Sequence, residues 1–337
     1  MIKYDNIQEI PYEELTKIEQ SIYDKQVIRK TSFLHSELDL NKIKTREVDY
    51  IYDKIYNLPQ VIFCIKYKQC FILGRKIRSQ LSISGKINAI NCSQITASMI
   101  LGILKSKRQT GKDIVVEYYP MTEDERLLTF DIIKNSNSYE ILFPYQERDF
   151  KTNQVEKTGK FGWSLNPNKV KYLGYGEEHI REYTKKWLKN YVKNDMRVYD
   201  PACSTGQFLH ELKKEYPQIK VIGGDLSKEM TDYAKQYLDE CECCNAKDSK
   251  IPENSVDMIF LRFLNDQVVS KYQAKVILPC ILKKVKKNGY VVAFGHTPVL
   301  FTKKQFEHYG LKVQQCIAYD TERHSIFQYY VMRKCCE

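Results

Sequence analysis

The chain has 337 residues, a formal net charge of +11 and 43% hydrophobic residues, which supplies enough apolar material for more than one folded domain. No apolar run approaches the roughly 18 residues that a transmembrane helix needs. The first residues also lack the basic-then-apolar order of a secretory signal. We therefore expect a cytoplasmic protein without membrane contact.

The basic excess is concentrated after residue 150, where 31 basic side chains stand against 22 acidic ones. These lysines are scattered over predicted helix faces, so we interpret them as solvated surface and do not expect nucleic acid as the partner. The eleven cysteines include a cluster at Cys241, Cys243 and Cys244. Cys241 and Cys244 form one C-x-x-C pair without a suitably placed second pair, so no metal is expected.

The first 150 residues predict an α+β domain with mainly antiparallel strands. Its predicted helices cover residues 11–30, 45–57 and 93–105. Its predicted strands cover residues 61–66, 69–73, 114–119, 127–133 and 139–143. We find no motif here, and we expect this domain to select the substrate or to build a homodimer.

Residues 151–177 are polar and rich in Gly, Asn and Lys, which is typical of a linker or lid. Four aromatic residues stand in this segment: Phe161, Trp163, Tyr172 and Tyr175. They either cover the bound ligand or pack against the N-terminal domain.

Helices and strands alternate from residue 178 to the end of the chain. Predicted helices cover residues 178–191, 207–216, 228–238, 271–285 and 305–309. Predicted strands cover residues 197–199, 220–223, 257–261, 290–294, 311–319 and 325–332. This alternation predicts an α/β fold with a Rossmann-like parallel sheet and helices on both faces. The last two strands follow each other through a short turn, which predicts an antiparallel edge.

The strongest motif runs from Val198 to Gly206, with the sequence Val-Tyr-Asp-Pro-Ala-Cys-Ser-Thr-Gly. An apolar strand leads directly into small residues and then into a helix. Small residues let the backbone approach a ligand closely, and a helix N-terminus offers free N–H groups. Open α/β sheets bind ligands at such carboxyl ends of strands.

A second motif follows one strand later, where Val221-Ile222-Gly223-Gly224 ends in Asp225. An acid at the end of this strand can accept hydrogen bonds from both hydroxyls of a ribose. Its separation of 25 residues from Asp200 is typical of a dinucleotide-type site. A third segment, the loop at residues 245–248, precedes a strand that opens with Asp257.

Together the three segments resemble, in order and spacing, the S-adenosylmethionine (SAM) binding motifs of class I methyltransferases. The resemblance covers roughly residues 170–337 and implies that SAM is the cofactor. It implies contacts to SAM from Asp200, Ala202, Ser204 and Gly206 at the methionine part, Asp225 at the ribose, Leu226, Met230, Asn245 and Ala246 at the adenine, and Phe260 in the next strand. Ala202 and Ser204 stand where the family commonly has glycine, and Asn245 where it often has an acid.

Catalytic candidates should follow the fourth and fifth strands of this domain, because the acceptor must reach the same edge of the sheet. Arg262 and Asp266 follow the fourth strand, and His296 follows the fifth. His296 is a candidate general base, and Arg262 a candidate clamp for a substrate carboxylate. In-line methyl transfer mainly needs alignment, with a base only where the nucleophile must lose a proton.

The predicted function is SAM-dependent methylation of a small, acidic metabolite at O, N or C. The turn at Asp200–Gly206 also resembles the first motif of DNA adenine methyltransferases, but the Pro-Pro-aromatic loop of those enzymes is missing after residue 260. Two alternatives stay open. One is a nucleic-acid methyltransferase, and the other is an enzyme that transfers the aminocarboxypropyl arm of SAM.

Overall fold

The computed structural model describes residues 16–18, 20–21, 38–54, 62–76, 94–111, 113–144, 177–265, 268–295 and 297–335. It divides into two compact units, Met1–Lys42 and Ile43–Glu337. The first unit is described only in part, and the described residues of the predicted helix 11–30 include helical ones at 17, 18, 20 and 21. The four aromatic residues predicted as a lid lie outside the described residues.

One sheet of the second unit has six strands, and every neighbouring pair in it is antiparallel. Its strands, in the order β1-β5-β4-β3-β2-β6, are β1 Asp49–Lys54, β2 Ile62–Tyr67, β3 Cys70–Arg75, β4 Ile100–Thr110, β5 Asp113–Pro120 and β6 Ile141–Leu142. Helix α1 spans Leu40–Lys44 and helix α2 spans Glu123–Lys134. The expected antiparallel character of this part is therefore confirmed.

Three elements of this part were predicted wrongly. The predicted helix 45–57 contains strand β1, and the predicted helix 93–105 contains a short 3₁₀ turn followed by β4. The predicted strand 127–133 lies inside α2, because Thr122 and Glu125 form a capping box that starts a helix there. Strand pairing fixed the conformation of β1 and β4, and the capping box fixed that of α2.

The second sheet has seven strands in the order β12-β13-β11-β10-β7-β8-β9. Its strands are β7 Arg197–Asp200, β8 Lys220–Asp225, β9 Glu240–Cys243, β10 Val256–Leu261, β11 Val285–Ala293, β12 Leu311–Asp320 and β13 Ser325–Lys334. Its helices are α3 Glu178–Leu188, α4 Gln207–Glu215, α5 Lys228–Ala234, α6 Lys271–Leu282 and α7 Lys303–His308. The predicted Rossmann-like sheet is confirmed.

Two details of this sheet differ from the prediction. Strand β13 is antiparallel to both of its neighbours, so the antiparallel strand lies one position in from the edge. Strand β9 was not predicted, and it contains Cys241 and Cys243 of the cysteine cluster. Strands β7, β8, β10 and β11 are mutually parallel, which brings their carboxyl ends to one side.

The two sheets of this unit are joined by a buried side chain. Gln328 of β13 donates from Nε2 to the carbonyl oxygen of Ile141 at 2.7 Å and accepts from the amide of Val299 at 2.9 Å. Because the loop that contains Val299 follows β11, Gln328 holds that loop against the first sheet. No helix in the described ranges is both long and apolar enough to cross a membrane.

Candidate active site

Three polar side chains of the predicted set meet where adjacent strands end. Asp200 is the last residue of β7, Asp225 is the last residue of β8, and Arg262 directly follows β10. These strands are neighbours in the order β10-β7-β8. We call this end of the sheet, with Asp200, Asp225, Arg262 and the turn 201–206, the carboxyl edge.

Arg262 is held between two carboxylates. Its Nη1 donates to Oδ2 of Asp200 at 3.2 Å, and its Nη2 donates to Oε2 of Glu177, immediately before α3. The guanidinium also lies over the ring of Phe208, with Cζ 4.9 Å from the ring centroid. Any carboxylate of a substrate would therefore compete with groups of the chain itself for this guanidinium.

Asp200 is completely buried, and its Oδ1 accepts the amide hydrogen of Ala202 at 3.0 Å. Burial raises the pKa of this carboxyl to about 6, while Arg262 and the Ala202 amide act in the opposite direction. Asp200 is thus a buried acid that titrates near neutral pH and orders the start of the turn.

The turn after Asp200 contains two residues in the left-handed region, Ser204 at φ +55° and Gly206 at φ +76°. The left-handed region explains why glycine suits position 204, since a residue with a Cβ is strained there. Ser204 is held by its amide, which donates to Oδ2 of Asp225 at 2.9 Å, and by its hydroxyl, which contacts Sδ of Met230 at 3.6 Å. The turn is therefore tied to the end of β8 and to α5.

Asp225 joins the turn to the segment after β8. Its second oxygen, Oδ1, accepts the amide hydrogen of Ser227 at 2.9 Å. Burial raises the pKa of Asp225, and the amides of Ser227 and Ser204 oppose the change. Each carboxylate oxygen can accept more than one hydrogen bond, so both retain capacity for a ribose hydroxyl.

The residues predicted near the adenine lie beside Asp225. Leu226 is 55% exposed, whereas Met230 is buried. Asn245 caps the 3₁₀ helix Ala246–Asp248 by accepting the Lys247 amide hydrogen at 3.1 Å. The amide of Cys244 donates to the carbonyl oxygen of Asp225 at 3.0 Å, which fixes this loop next to the end of β8.

Phe260 is placed differently from the rest of the predicted cofactor set. Its ring is fully buried between Phe208 and Phe294, with ring centroids 4.9 and 5.9 Å away. Phe208 is the ring that underlies the Arg262 guanidinium. The structure therefore shows Phe260 supporting the carboxyl edge from the core.

Sequence reasoning missed a second polar network next to the carboxyl edge. The Tyr199 hydroxyl donates to Oε1 of Glu242 at 3.2 Å, and the Lys250 amide donates to Oε2 of Glu242 at 3.0 Å. A Cβ added to Gly224 would lie 3.0 Å from the Tyr199 hydroxyl oxygen, so glycine leaves room for it. In the sequence, the Gly223-Gly224 pair before Asp225 is the one sign of this network. No local sequence pattern marks Glu177 as part of the site.

Of the three catalytic candidates, the structure describes Arg262, and both Asp266 and His296 lie outside the described residues. Thr297, which follows His296, is 2% exposed, and its hydroxyl has no hydrogen-bond partner within the described chain. A buried hydroxyl without a partner costs free energy.

Comparison with known proteins decides the family. Residues 198–289 match the family described as a methyltransferase domain. Isonocardicin synthase of Nocardia uniformis subsp. tsuyamanensis is 31% identical over 245 residues, which cover 73% of this chain and 80% of that protein. The chain belongs to the family of isonocardicin synthase.

Two further proteins are similar to part of this member of the isonocardicin synthase family. Trans-aconitate 2-methyltransferase of Enterobacter sp. (strain 638) is 27% identical over 119 residues, which cover 35% of this chain and 46% of that protein. The crystal structure of a SAM-dependent methyltransferase from Aquifex aeolicus is 21% identical, covers 50% of this chain and 99% of that one, and superposes with a TM-score of 0.38.

The predicted class I methyltransferase domain in the C-terminal half is confirmed, and so is SAM as the cofactor. This member of the isonocardicin synthase family is a SAM-dependent enzyme with a methyltransferase domain at residues 198–289. The roles of individual residues and the identity of the acceptor remain predictions.

Proposed function

We propose that this enzyme transfers the methyl group of SAM to a small, acidic metabolite bound where β10 and β11 end. The observation that carries the proposal is the cluster at the carboxyl edge, where Asp200 and Glu177 bind the guanidinium of Arg262 and Asp225 binds the Ser204 amide of the adjoining turn. Carboxyl ends of parallel strands are the usual ligand sites of open α/β sheets. We also propose that the reaction takes place in the cytoplasm.

The donor set fits the chemistry of SAM. The three carboxylates at the carboxyl edge outnumber its one guanidinium, and this excess of negative charge favours a ligand that carries a sulfonium and an ammonium group. Helix α4 is nine residues long and follows its N-cap residue Gly206. Its N-terminus offers backbone N–H groups for a ligand carboxylate. When bound, SAM supplies a sulfonium methyl group that is open to displacement by a nucleophile.

The residues of the chain would mainly align the two reactants. Asp225 would bind the ribose hydroxyls, while Asp200 and the turn 202–206 would hold the methionine part. Arg262 would attract the acceptor carboxylate to the edge, in competition with Glu177. His296 or Asp266 would take the proton that an O–H or N–H nucleophile must lose.

Product analysis tests this proposal. The protein is incubated with SAM and a pool of small carboxylic acids, and the mixture is analysed by mass spectrometry. We expect S-adenosylhomocysteine and an acid that has gained one methyl group, both strongly reduced with Asp225→Asn. Asp232→Asn is the matched control, because Asp232 is an exposed acid on α5 that pairs with Lys228. No S-adenosylhomocysteine with any acid would contradict the proposal.

A second candidate reaction is transfer of the aminocarboxypropyl arm. It stays a candidate because the family is shown by isonocardicin synthase, a relative that is named as a synthase and not as a methyltransferase. The same incubation separates the two reactions, because arm transfer leaves methylthioadenosine and methyl transfer leaves S-adenosylhomocysteine.

A nucleic-acid acceptor is the remaining alternative, and binding experiments test it directly. We propose that RNA and DNA are not partners, because the lysines after residue 150 are spread along the chain. An electrophoretic shift that weakens as salt is added would contradict this expectation.

We propose that a homodimer, if one forms, uses residues 1–150, and sedimentation of a chain without them would test this.

A further inference from the structure

Two cysteines from distant parts of the chain approach each other across β8. Cys203 belongs to the turn after β7, and Cys241 in β9 is the registered partner of Gly223 in β8. Gly223 therefore lies between the two cysteines. A Cβ added to Gly223 would lie 2.7 Å from the Cys203 sulfur, so that sulfur occupies the space that glycine leaves open. The Cys241 side chain packs against the core cluster that contains Cys203, while the Cys203 thiol donates to the Ser204 carbonyl oxygen at 3.6 Å.

The two thiols differ in reactivity. The neighbouring Cys203 thiol lowers the pKa of Cys241, burial opposes this change, and nearby Lys235 adds to it. The pKa of Cys203 is raised, first by the neighbouring Cys241 thiol and then by burial. Cys241 is also half-buried, whereas Cys203 is buried. Cys241 is therefore the sulfur that an oxidant reaches and attacks first, since the thiolate is the reactive form.

The other cysteines of the cluster do not share this geometry. Cys243 is exposed, and its sulfur contacts the Leu226 carbonyl oxygen at 3.8 Å. Cys244 lies beside Glu242, and this carboxylate together with burial raises the pKa of the Cys244 thiol to about 12. Within the described ranges, no three His, Cys, Asp or Glu side chains are grouped so that they could hold a metal ion.

We propose that Cys203 and Cys241 form a reversible disulfide under peroxide, and that this bond closes the turn of the carboxyl edge to SAM. In the first step hydrogen peroxide oxidises the Cys241 thiolate to a sulfenic acid, and the peroxide O–O bond breaks with release of one water. In the second step the Cys203 sulfur attacks the Cys241 sulfur, the S–S bond forms, and the sulfenic oxygen leaves as the second water. Two thiols are oxidised, and one peroxide is reduced to two waters.

The bond would act on the turn directly. A disulfide of about 2.05 Å is much shorter than any non-bonded contact between two sulfurs, so its formation pulls Cys203 toward β9. The Cys203 amide donates to the Gly224 carbonyl oxygen at 2.8 Å, and the next amide donates to Asp225. Both bonds would be distorted, and with them the turn that we propose binds SAM. This last step rests on the proposed SAM site.

The test uses the full chain, treated with hydrogen peroxide and then with dithiothreitol. Peptide mapping without reductant is expected to yield a cross-linked pair of peptides that contain Cys203 and Cys241, lighter than the two free peptides by two hydrogen atoms. SAM binding, measured by calorimetry, is expected to weaken by at least about tenfold in Kd and to recover after reduction. Cys241→Ser should keep its affinity under peroxide, and Cys243→Ser should remain as sensitive as the unmodified chain.

The two readouts separate the inference from the proposed function. Absence of the cross-linked peptides at a peroxide dose that oxidises Cys243 would overturn the inference, whatever happens to SAM. Cross-linking with unchanged SAM affinity would overturn the regulatory part. Equal loss of affinity in Cys241→Ser would show that another thiol is responsible and would also overturn it. If the reduced chain does not bind SAM at all, the proposed SAM site fails, while the peptide map still tests the disulfide.

Discussion

The Nη1 atom of Arg262 lies 3.2 Å from Oδ2 of Asp200, although the two residues are separated by 62 positions in the sequence. The parallel pairing of β10 with β7 brings them together, because each residue stands where its strand ends. Asp200 has no solvent contact, so its charge depends on this partner and on backbone amides.

Replacing Arg262 by Met should destabilise the fold by about 3–5 kcal/mol, because the carboxylates of Asp200 and Glu177 would lose their buried counter-charge. Arg197→Met serves as the control, since its partner Glu240 is about half exposed, and such a pair contributes about 0–1 kcal/mol. Urea unfolding followed by circular dichroism measures both variants. Equal losses in the two variants would contradict a buried ion pair, and adding Asp200→Asn to Arg262→Met should restore part of the stability.

The affinity for SAM should fall as the pH drops through about 6, the value to which burial raises the pKa of Asp200. The charged carboxylate attracts a cationic ligand, and its protonation removes that attraction, by at most about tenfold per pH unit. Calorimetry between pH 5 and pH 8, roughly the range in which this acid titrates, measures the effect. Asp200→Asn should bind weakly at all pH values, and a slope that persists in this variant would assign the titration to another group.

The same group should influence stability with the opposite sign. Its pKa is higher in the folded chain than the ordinary value of 3.8, so the folded chain binds the proton more tightly. Its contribution to the free energy of unfolding is therefore most favourable below pH ~4 and decreases as the pH rises to about 6. Urea midpoints over this pH range, compared between the unmodified chain and Asp200→Asn, measure the difference. An unchanged difference between pH 4 and 6 would contradict the raised pKa.

Asp225→Ala should weaken SAM binding by at least about 1.5–3 kcal/mol, the scale of a lost charged hydrogen bond. The structure adds a second effect, because the amides of Ser204 and Ser227 would also lose their acceptor. We therefore expect a lower melting temperature together with the weaker binding, both of them measurable on one sample. Asp232→Asn is the control, and unchanged SAM affinity in Asp225→Ala would count against the ribose contact.

Thr297→Val should stabilise the free enzyme by about 1 kcal/mol, because it removes a buried hydroxyl that has no hydrogen-bond partner within the described residues. Valine keeps the shape of the side chain, so packing is preserved. If this hydroxyl meets the acceptor, turnover falls at the same time and SAM affinity does not change. Thr297→Ser keeps a hydroxyl at this position and should therefore keep the turnover that Thr297→Val loses. A Thr297→Val variant that is less stable than the unmodified chain would show that the hydroxyl is hydrogen-bonded.

The sequence predicted four strands of the first sheet correctly but predicted β1 and β4 as helices, whereas in the second sheet it missed only β9, and this difference has a physical reason. A buried parallel strand such as Val256–Leu261 is a continuous apolar run followed by polar residues, and this pattern has few other interpretations. Strand Asp49–Lys54 contains two exposed tyrosines alternating with buried or charged residues, and without its partner β5 it resembles a helical segment. Helix Glu123–Lys134 was predicted in part as a strand, because the apolar residues at 127–133 also fit a buried strand. The capping box of Thr122 and Glu125 is the local feature that indicates a helix.

The residues of the candidate site also fall into those that the local sequence predicts and those that only the fold brings together. Small residues after Asp200 and an acid at position 225 are local features, so the sequence alone predicts a nucleoside site there. Glu177 was not predicted, because its role depends on α3 beginning beside a guanidinium that stands 85 positions later. Arg262 was predicted to face a substrate, yet its two carboxylate partners could be seen only after the strands were placed side by side.

The sequence alone determined which residues lie at strand ends and therefore which edge of the sheet carries the chemistry. The alternation of apolar strands and helices encodes that arrangement within short stretches of chain. Only the tertiary structure decided which charges neutralise one another and which thiols meet, because Arg262 with Asp200 and Cys203 with Cys241 come from different strands. Their contacts depend on strand order and register, and these are set by packing over the whole sheet.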